Sequence, residues 1–287
     1  MNTLKRKYDL ALSAVDELAD TLLNTDEEPS RAQPELAPAP LSQVLEEFGT
    51  LPKNALFLGA AYDGLPVLLN LNDPAPGPIL VTGDSASGKT ALLQTIARAL
   101  PKMHTPQEVQ FGVITDKAQE WHGIAASRHC MGIFSPHQTD AENLIISLAD
   151  WAHHNHTETR FALLLIDNLE GIQKMSAEAQ QSLRWLLLRG PNRRVWTFAT
   201  LNAQKAVQGS GWMASFRTRL LGAVKNIRVA QAILPARDAE LHLLEPKREF
   251  LLNENNRWVK FWIPPIADTQ PDKITQEDDF SAKMTFL

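Results

Sequence analysis

The sequence contains one cysteine, Cys130, in 287 residues. A single thiol excludes an internal disulfide framework and fits a reducing compartment. No apolar run approaches the ~20 residues that cross a bilayer. The first twenty residues, MNTLKRKYDLALSAVDELAD, are charged throughout and lack the apolar core of a signal peptide. The expectation is a cytoplasmic protein without membrane insertion. A basic excess is missing too: 28 Lys and Arg stand against 33 Asp and Glu, a formal net charge of −5. That argues against a surface that coats nucleic acid as a whole, while leaving room for a local basic path such as the lining of a ring. What is present is 44% hydrophobic and 21% charged residues. This is enough for one large α/β domain with appendages, or two domains at most.

Residues 4–24 predict a helix, because Tyr8, Leu12, Val15, Ala19 and Leu22 recur at spacings of four and three and share a face. That face packs on its own domain or serves a partner or a second copy; both readings stand. Residues 25–40, TDEEPSRAQPELAPAP, hold four prolines and five charges, the composition of a linker. A folded domain is expected over 41–266, opening on the short helix LSQVLEEFG. Residues 267–287 are polar and acidic and predict a disordered tail, with MTFL at its end as a docking motif.

Inside the domain, two apolar runs flank Asp63-Gly64, a hairpin signature. PILVT (78–82) then reads as a strand buried on both faces. TALLQTIARAL follows as an amphipathic helix ended by Pro101. Strand VQFGVIT (109–115), helix 141–154, strand FALLLID (161–167), helix 176–190 and strand VWTFATLN (195–202) continue the alternation. REFLL and RWVKFWIP read as a closing hairpin at the sheet edge. Strands alternating with helices imply a mostly parallel sheet.

Between PILVT and its helix stands Gly83-Asp84-Ser85-Ala86-Ser87-Gly88-Lys89-Thr90, which fits G-x-x-x-x-G-K-[ST]. The glycines permit backbone angles that turn successive N–H groups inward, and the helix start adds its positive dipole end. A lysine here reaches β- and γ-phosphates, and the Thr90 hydroxyl suits Mg²⁺. These four fixed positions coincide by chance in about one chain in a hundred of this length, and the strand-to-helix context is the required one. The reading is ATP with Mg²⁺ bound at 83–90. Asp167, closing strand 161–167, is the expected carboxylate of the metal shell. The next position, where a water-polarising glutamate is common, is Asn168, an amide that can orient water without accepting its proton. Glu170 is the nearest acidic alternative. Thr200 and Asn202 either touch the γ-phosphate or cap the strand end. Arg217, Arg219 and Arg160 are candidates for a cation acting across a subunit boundary.

In their order these pieces resemble the FtsK/HerA branch of P-loop ATPases, which spans DNA translocases, conjugation coupling proteins and type VII secretion ATPases. LFLGAAYDGLPVLLNLND resembles the family's lead-in, VQFGVITDKAQEW with Asp116-Lys117 and Glu120 its second strand, LLLIDNLE its Walker B strand, and VWTFATLNAQ its polar-ended strand. MASFRTRLLGAV resembles its arginine-bearing segment, and REFLL with RWVKFWIP its terminal hairpin. The resemblance covers about residues 50–265 and implies a P-loop α/β fold in a homo-oligomeric, hexameric ring with sites between subunits. Three functions compete: a DNA-moving motor, an ATPase acting on a protein partner through residues 1–40 or the tail, and a weakly hydrolysing nucleotide-gated ring. Two further signals carry less. His153, His154 and His156 lack metal-site spacing and read as a solvated helix end. Trp212, in a Gly/Ser loop with Lys205, is either an anchored surface aromatic or a channel-facing one.

Overall fold

In the computed structural model the apolar run before the glycine-rich turn becomes a central strand of one ten-stranded sheet, and the run after it becomes a helix packed on that sheet. The structure describes residues 39–155, 159–209, 211–234, 240–254 and 257–265. The expected N-terminal helix, nearly all of the linker, His156 and the acidic tail lie outside the described residues. Helix α1 (Leu41–Phe48) leads into the antiparallel hairpin β1 (Ala55–Ala61) and β2 (Pro66–Asn70). Gly64 takes φ +83° in its turn, and the Asp63 carboxylate accepts the Leu65 N–H at 3.0 Å. Strand β3 (Ile79–Gly83) runs into helix α2 (Lys89–Met103).

Then follow β4 (Val109–Thr115), the short helix α3 (His122–Ala125), β5 (Cys130–Phe134), α4 (Thr139–His154), β6 (Phe161–Asp167), α5 (Ala177–Arg189) and β7 (Val195–Asn202). The chain closes with α6 (Ala203–Val207), β8 (Thr218–Gly222), α7 (Ile227–Ile233) and the hairpin β9 (Glu249–Glu254) and β10 (Arg257–Trp262). Six strands are parallel, in the order β8-β3-β7-β6-β4-β5; β9, β10, β1 and β2 extend them antiparallel.

Alternation along each strand sends side chains to opposite faces. Ile79, Val81, Leu163 and Leu165 pack beneath α2 with Leu92, Leu93 and Ile96. Leu80, Leu164 and Ile166 pack on the other face with Ile145 and Leu148 of α4 and Leu183 and Leu186 of α5. Both faces are thus covered, which is why the central strands read as unbroken apolar runs rather than as alternating ones.

Two sequence expectations change, and one strand was not foreseen. The hairpin β9–β10 is not at an edge: β9 pairs with β8, and β10 pairs with β1 through Ala60↔Trp262, so the edges are β2 and β5. Helix α2 continues through Pro101 to Met103, with the His104 N–H still bonded to the Leu100 carbonyl at 2.8 Å. In the last turn a proline forfeits one helical bond and leaves the later ones intact. Strand β5 was not legible because it is short, half-buried along its whole length and interrupted by Gly132.

Candidate functional site

The parallel strands all deliver their C-terminal ends to one rim of the sheet, where a crevice forms in open α/β folds. Register fixes what meets there. Gly83 lies beside Asn202, and Thr115 beside Asp167. Strand β7 sits between β3 and β6, so Asn202 and Thr200 stand between the glycine-rich loop and Asp167.

The loop from Gly83 to Thr90 is curled. Ala86 has φ +61° and Gly88 φ +101°. A Cβ on Gly88 would lie 2.7 Å from Lys247 Cα, and one on Gly83 would lie 2.5 Å from Ser87 Oγ. Both glycines are therefore required by space, and Gly88 by conformation as well. The Ser87 N–H bonds the Asp84 carbonyl at 3.1 Å, and the Ser87 carbonyl accepts the Lys247 N–H at 3.0 Å. The Asp84 carboxylate accepts the Lys225 N–H at 2.8 Å. It anchors the loop to the segment after β8. Ser85 Oγ lies 3.4 Å from Asn202 Nδ2.

Lys89 folds back over the loop and donates to the Gly83 carbonyl at 3.0 Å and the Asp84 carbonyl at 2.6 Å. Burial holds its ammonium below the ordinary lysine range, against the pull of Asp167 and Asp84. Thr90 Oγ1 donates to the Asp167 carboxylate, 3.0 Å from each oxygen. Thr200 Oγ1 approaches the same carboxylate at 3.0 Å and Thr115 Oγ1 at 3.4 Å. Burial pushes Asp167 above the ordinary carboxylate range, more strongly than these hydroxyls pull it down. A partly buried ammonium and a buried carboxylate, each disfavoured in its charged form, are the arrangement that an anionic ligand and a cation would relieve. Hard oxygen donors, one hydroxyl and one carboxylate, fit Mg²⁺. No cluster of three His, Cys, Asp or Glu occurs among the described residues, which suits an ion that draws its other ligands from phosphate and water.

Asn168 takes φ +85°, a conformation that Asn tolerates better than most residues. Its N–H donates to Thr200 Oγ1 at 2.8 Å, its Oδ1 accepts the Glu170 N–H at 3.2 Å, and its Nδ2 donates to Asp116 Oδ2 at 3.4 Å. The turn Leu169–Lys174 that follows is a 3-10 helix capped by this side chain. Glu170 points toward α6 and pairs with Lys205 at 3.4 Å. Asn202 caps α6, accepting the Gln204 N–H at 3.0 Å, as well as reaching Ser85.

The arginines are not brought into this crevice. Arg219 lies on β8 level with Leu80 and donates to the Met213 carbonyl at 3.5 Å, and Arg160 precedes β6 at the opposite rim. Trp212 is buried against α5 beneath Arg184, whose guanidinium carbon lies 4.8 Å from the ring, so the anchored reading of that loop holds. Sequence reasoning missed Thr115, Lys225 and Lys247. The register partner of Asp167 was a usable signal for Thr115. Nothing local marks the other two.

This loop, its helix and its sheet are those of a P-loop NTPase. Within that class the likeness is to ATPases of the FtsK type. Residues 52–187 match the sequence profile of the FtsK/SpoIIIE family. No curated protein matches the sequence. Among solved structures, the cytoplasmic domain of the type VII secretion ATPase EccC from Thermomonospora curvata aligns at 17% identity and TM-score 0.60, over 80% of this chain and 28% of that one. ATPases 2 and 3 of EssC from Geobacillus thermodenitrificans align at 11% identity and TM-score 0.60, over 80% and 47%. The pCW3 conjugation coupling protein TcpA, solved with ATPγS, aligns at 16% and 0.56, over 76% and 68%. The chain thus spans less than half of the EccC and EssC chains. These likenesses bear out the resemblance read from the motifs.

Proposed function

We propose that the chain binds ATP with Mg²⁺ at Gly83–Thr90 and hydrolyses it, as a ring-forming ATPase of the FtsK type that couples turnover to movement of DNA. The observation that carries the reading is the joining of Thr90 to Asp167 at 3.0 Å across two strands, beside a curled anion loop. Thr90 and Asp167 would hold the metal, which when bound neutralises phosphate charge. The loop's backbone N–H groups and Lys89 would bind the β- and γ-phosphates once Lys89 leaves the Gly83 and Asp84 carbonyls. Thr200 positions Asp167 and the Asn168 backbone together. Asn202, which reaches Ser85 of the loop, would contact the γ-phosphate, and Arg219 is proposed to act on a neighbouring subunit's site.

A protein substrate is the second reading. The net charge of −5 supports it, since phosphate contacts draw on basic residues. ATP turnover measured with and without double-stranded DNA separates the two. The motor predicts stimulation by DNA that is lost in Lys89→Ala. A DNA-indifferent rate that rises with a protein partner contradicts it and favours the second reading.

A further inference from the structure

The sequence leaves the water-activating carboxylate unassigned, because the residue after Asp167 is Asn168. Three carboxylates stand near that position. Glu170 turns away to Lys205 of α6, on the β7 side. Glu120 is held by Lys117 at 3.1 Å. Asp116 is the one whose carboxylate accepts from the Asn168 side chain. It follows Thr115, which is in register with Asp167, so Asp116 and Asn168 leave the sheet side by side. Asn168 Nδ2 donates to Asp116 Oδ2 at 3.4 Å, and His137 Nε2 lies 3.6 Å from Asp116 Oδ1. His137 comes from the loop after β5. Pro136 of that loop packs against the turn after Asn168, 2.9 Å from where a Gly171 Cβ would be. Three loops, those after β4, β5 and β6, therefore converge on one solvent-facing carboxylate. Thr115, the residue before Asp116, reaches the Asp167 carboxylate at 3.4 Å, and Asn168 follows Asp167, so this corner adjoins the carboxylate expected to hold the metal.

We propose that Asp116 is the general base for hydrolysis, with Asn168 and His137 as its positioning residues. The proposal rests on the ATPase reading above. Asp116 accepts a proton from the attacking water as the water oxygen bonds to the γ-phosphorus. The β–γ bridging P–O bond breaks, and its electron pair leaves with ADP. Asp116 then returns its proton to solvent, so ADP, inorganic phosphate and one proton account for every atom. The role of the missing glutamate has moved one strand over, and the amide at 168 holds its replacement.

The test is steady-state turnover of the full chain with ATP and Mg²⁺, alongside nucleotide-induced thermal stabilisation. Asp116→Asn should lose about a hundredfold or more in kcat, with KM and the thermal shift retained. In Asp116→Ala, added formate should recover part of the rate, which a merely structural role would not allow. Asp116→Asn at the wild-type rate, a comparable loss confined to Glu170→Gln, or no recovery with formate overturns the proposal. Wild-type protein that binds ATP without turning it over also overturns it and leaves nucleotide binding standing. Failure to bind ATP at all overturns the ATPase reading instead.

Discussion

Asp167 is caught between two demands. Burial favours its neutral form, while three threonine hydroxyls prepare it to hold a cation. A carboxyl raised in the folded state gives its stability at low pH, and that stability is lost as the pH rises through the raised value. Asp167→Asn should therefore raise the melting temperature of the nucleotide-free protein by a few degrees, equivalent to about 1 kcal/mol at this size. The gap to the wild type should widen as the pH climbs through the carboxyl range. The same variant should lose the Mg²⁺-dependent part of stabilisation by ATP. A lower melting temperature across the pH range would show that the hydroxyls outweigh burial. At this scale the sequence was most legible where the chemistry is contiguous: Gly83–Thr90 can be read in one line. Lys247, whose backbone closes over Gly88, was invisible because the contact belongs to the fold and not to the local sequence.

Elements explain why strand ends carry the chemistry. Asn202 ends β7 and begins α6, so one side chain caps a helix and reaches Ser85 of the loop. Asn202→Ala should cost about 1 kcal/mol through the lost cap, read by chemical denaturation. Asn202→Asp keeps the cap acceptor, and its stability should stay within about 0.5 kcal/mol of wild type. Equal losses in both would mean that the Ser85 contact, and not the cap, is what stabilises. Among elements, β3, β4, β6 and β7 were readable because burial on both faces writes itself as unbroken apolar sequence. Half-buried β5 leaves no such mark. Nor does the pairing partner of β9–β10, which topology decides: a hairpin reads alike at an edge or inside a sheet.

For the whole molecule, the order of motifs gave the FtsK-type resemblance, and the sheet order places each motif's strand beside the partner that its chemistry needs. Substrate and ring closure were not legible, since both live on surfaces between molecules. No helix among the described residues is long and apolar enough to cross a membrane. Everything proposed depends on a polyphosphate seated on the backbone between Gly83 and Thr90, with Asp167 sharing its cation. The most direct test is the melting temperature of wild-type protein and Lys89→Ala with ATP, each with and without Mg²⁺. Stabilisation of the wild type that needs the metal and vanishes in Lys89→Ala is the predicted result. Undiminished stabilisation in Lys89→Ala would put the nucleotide elsewhere and contradict the account.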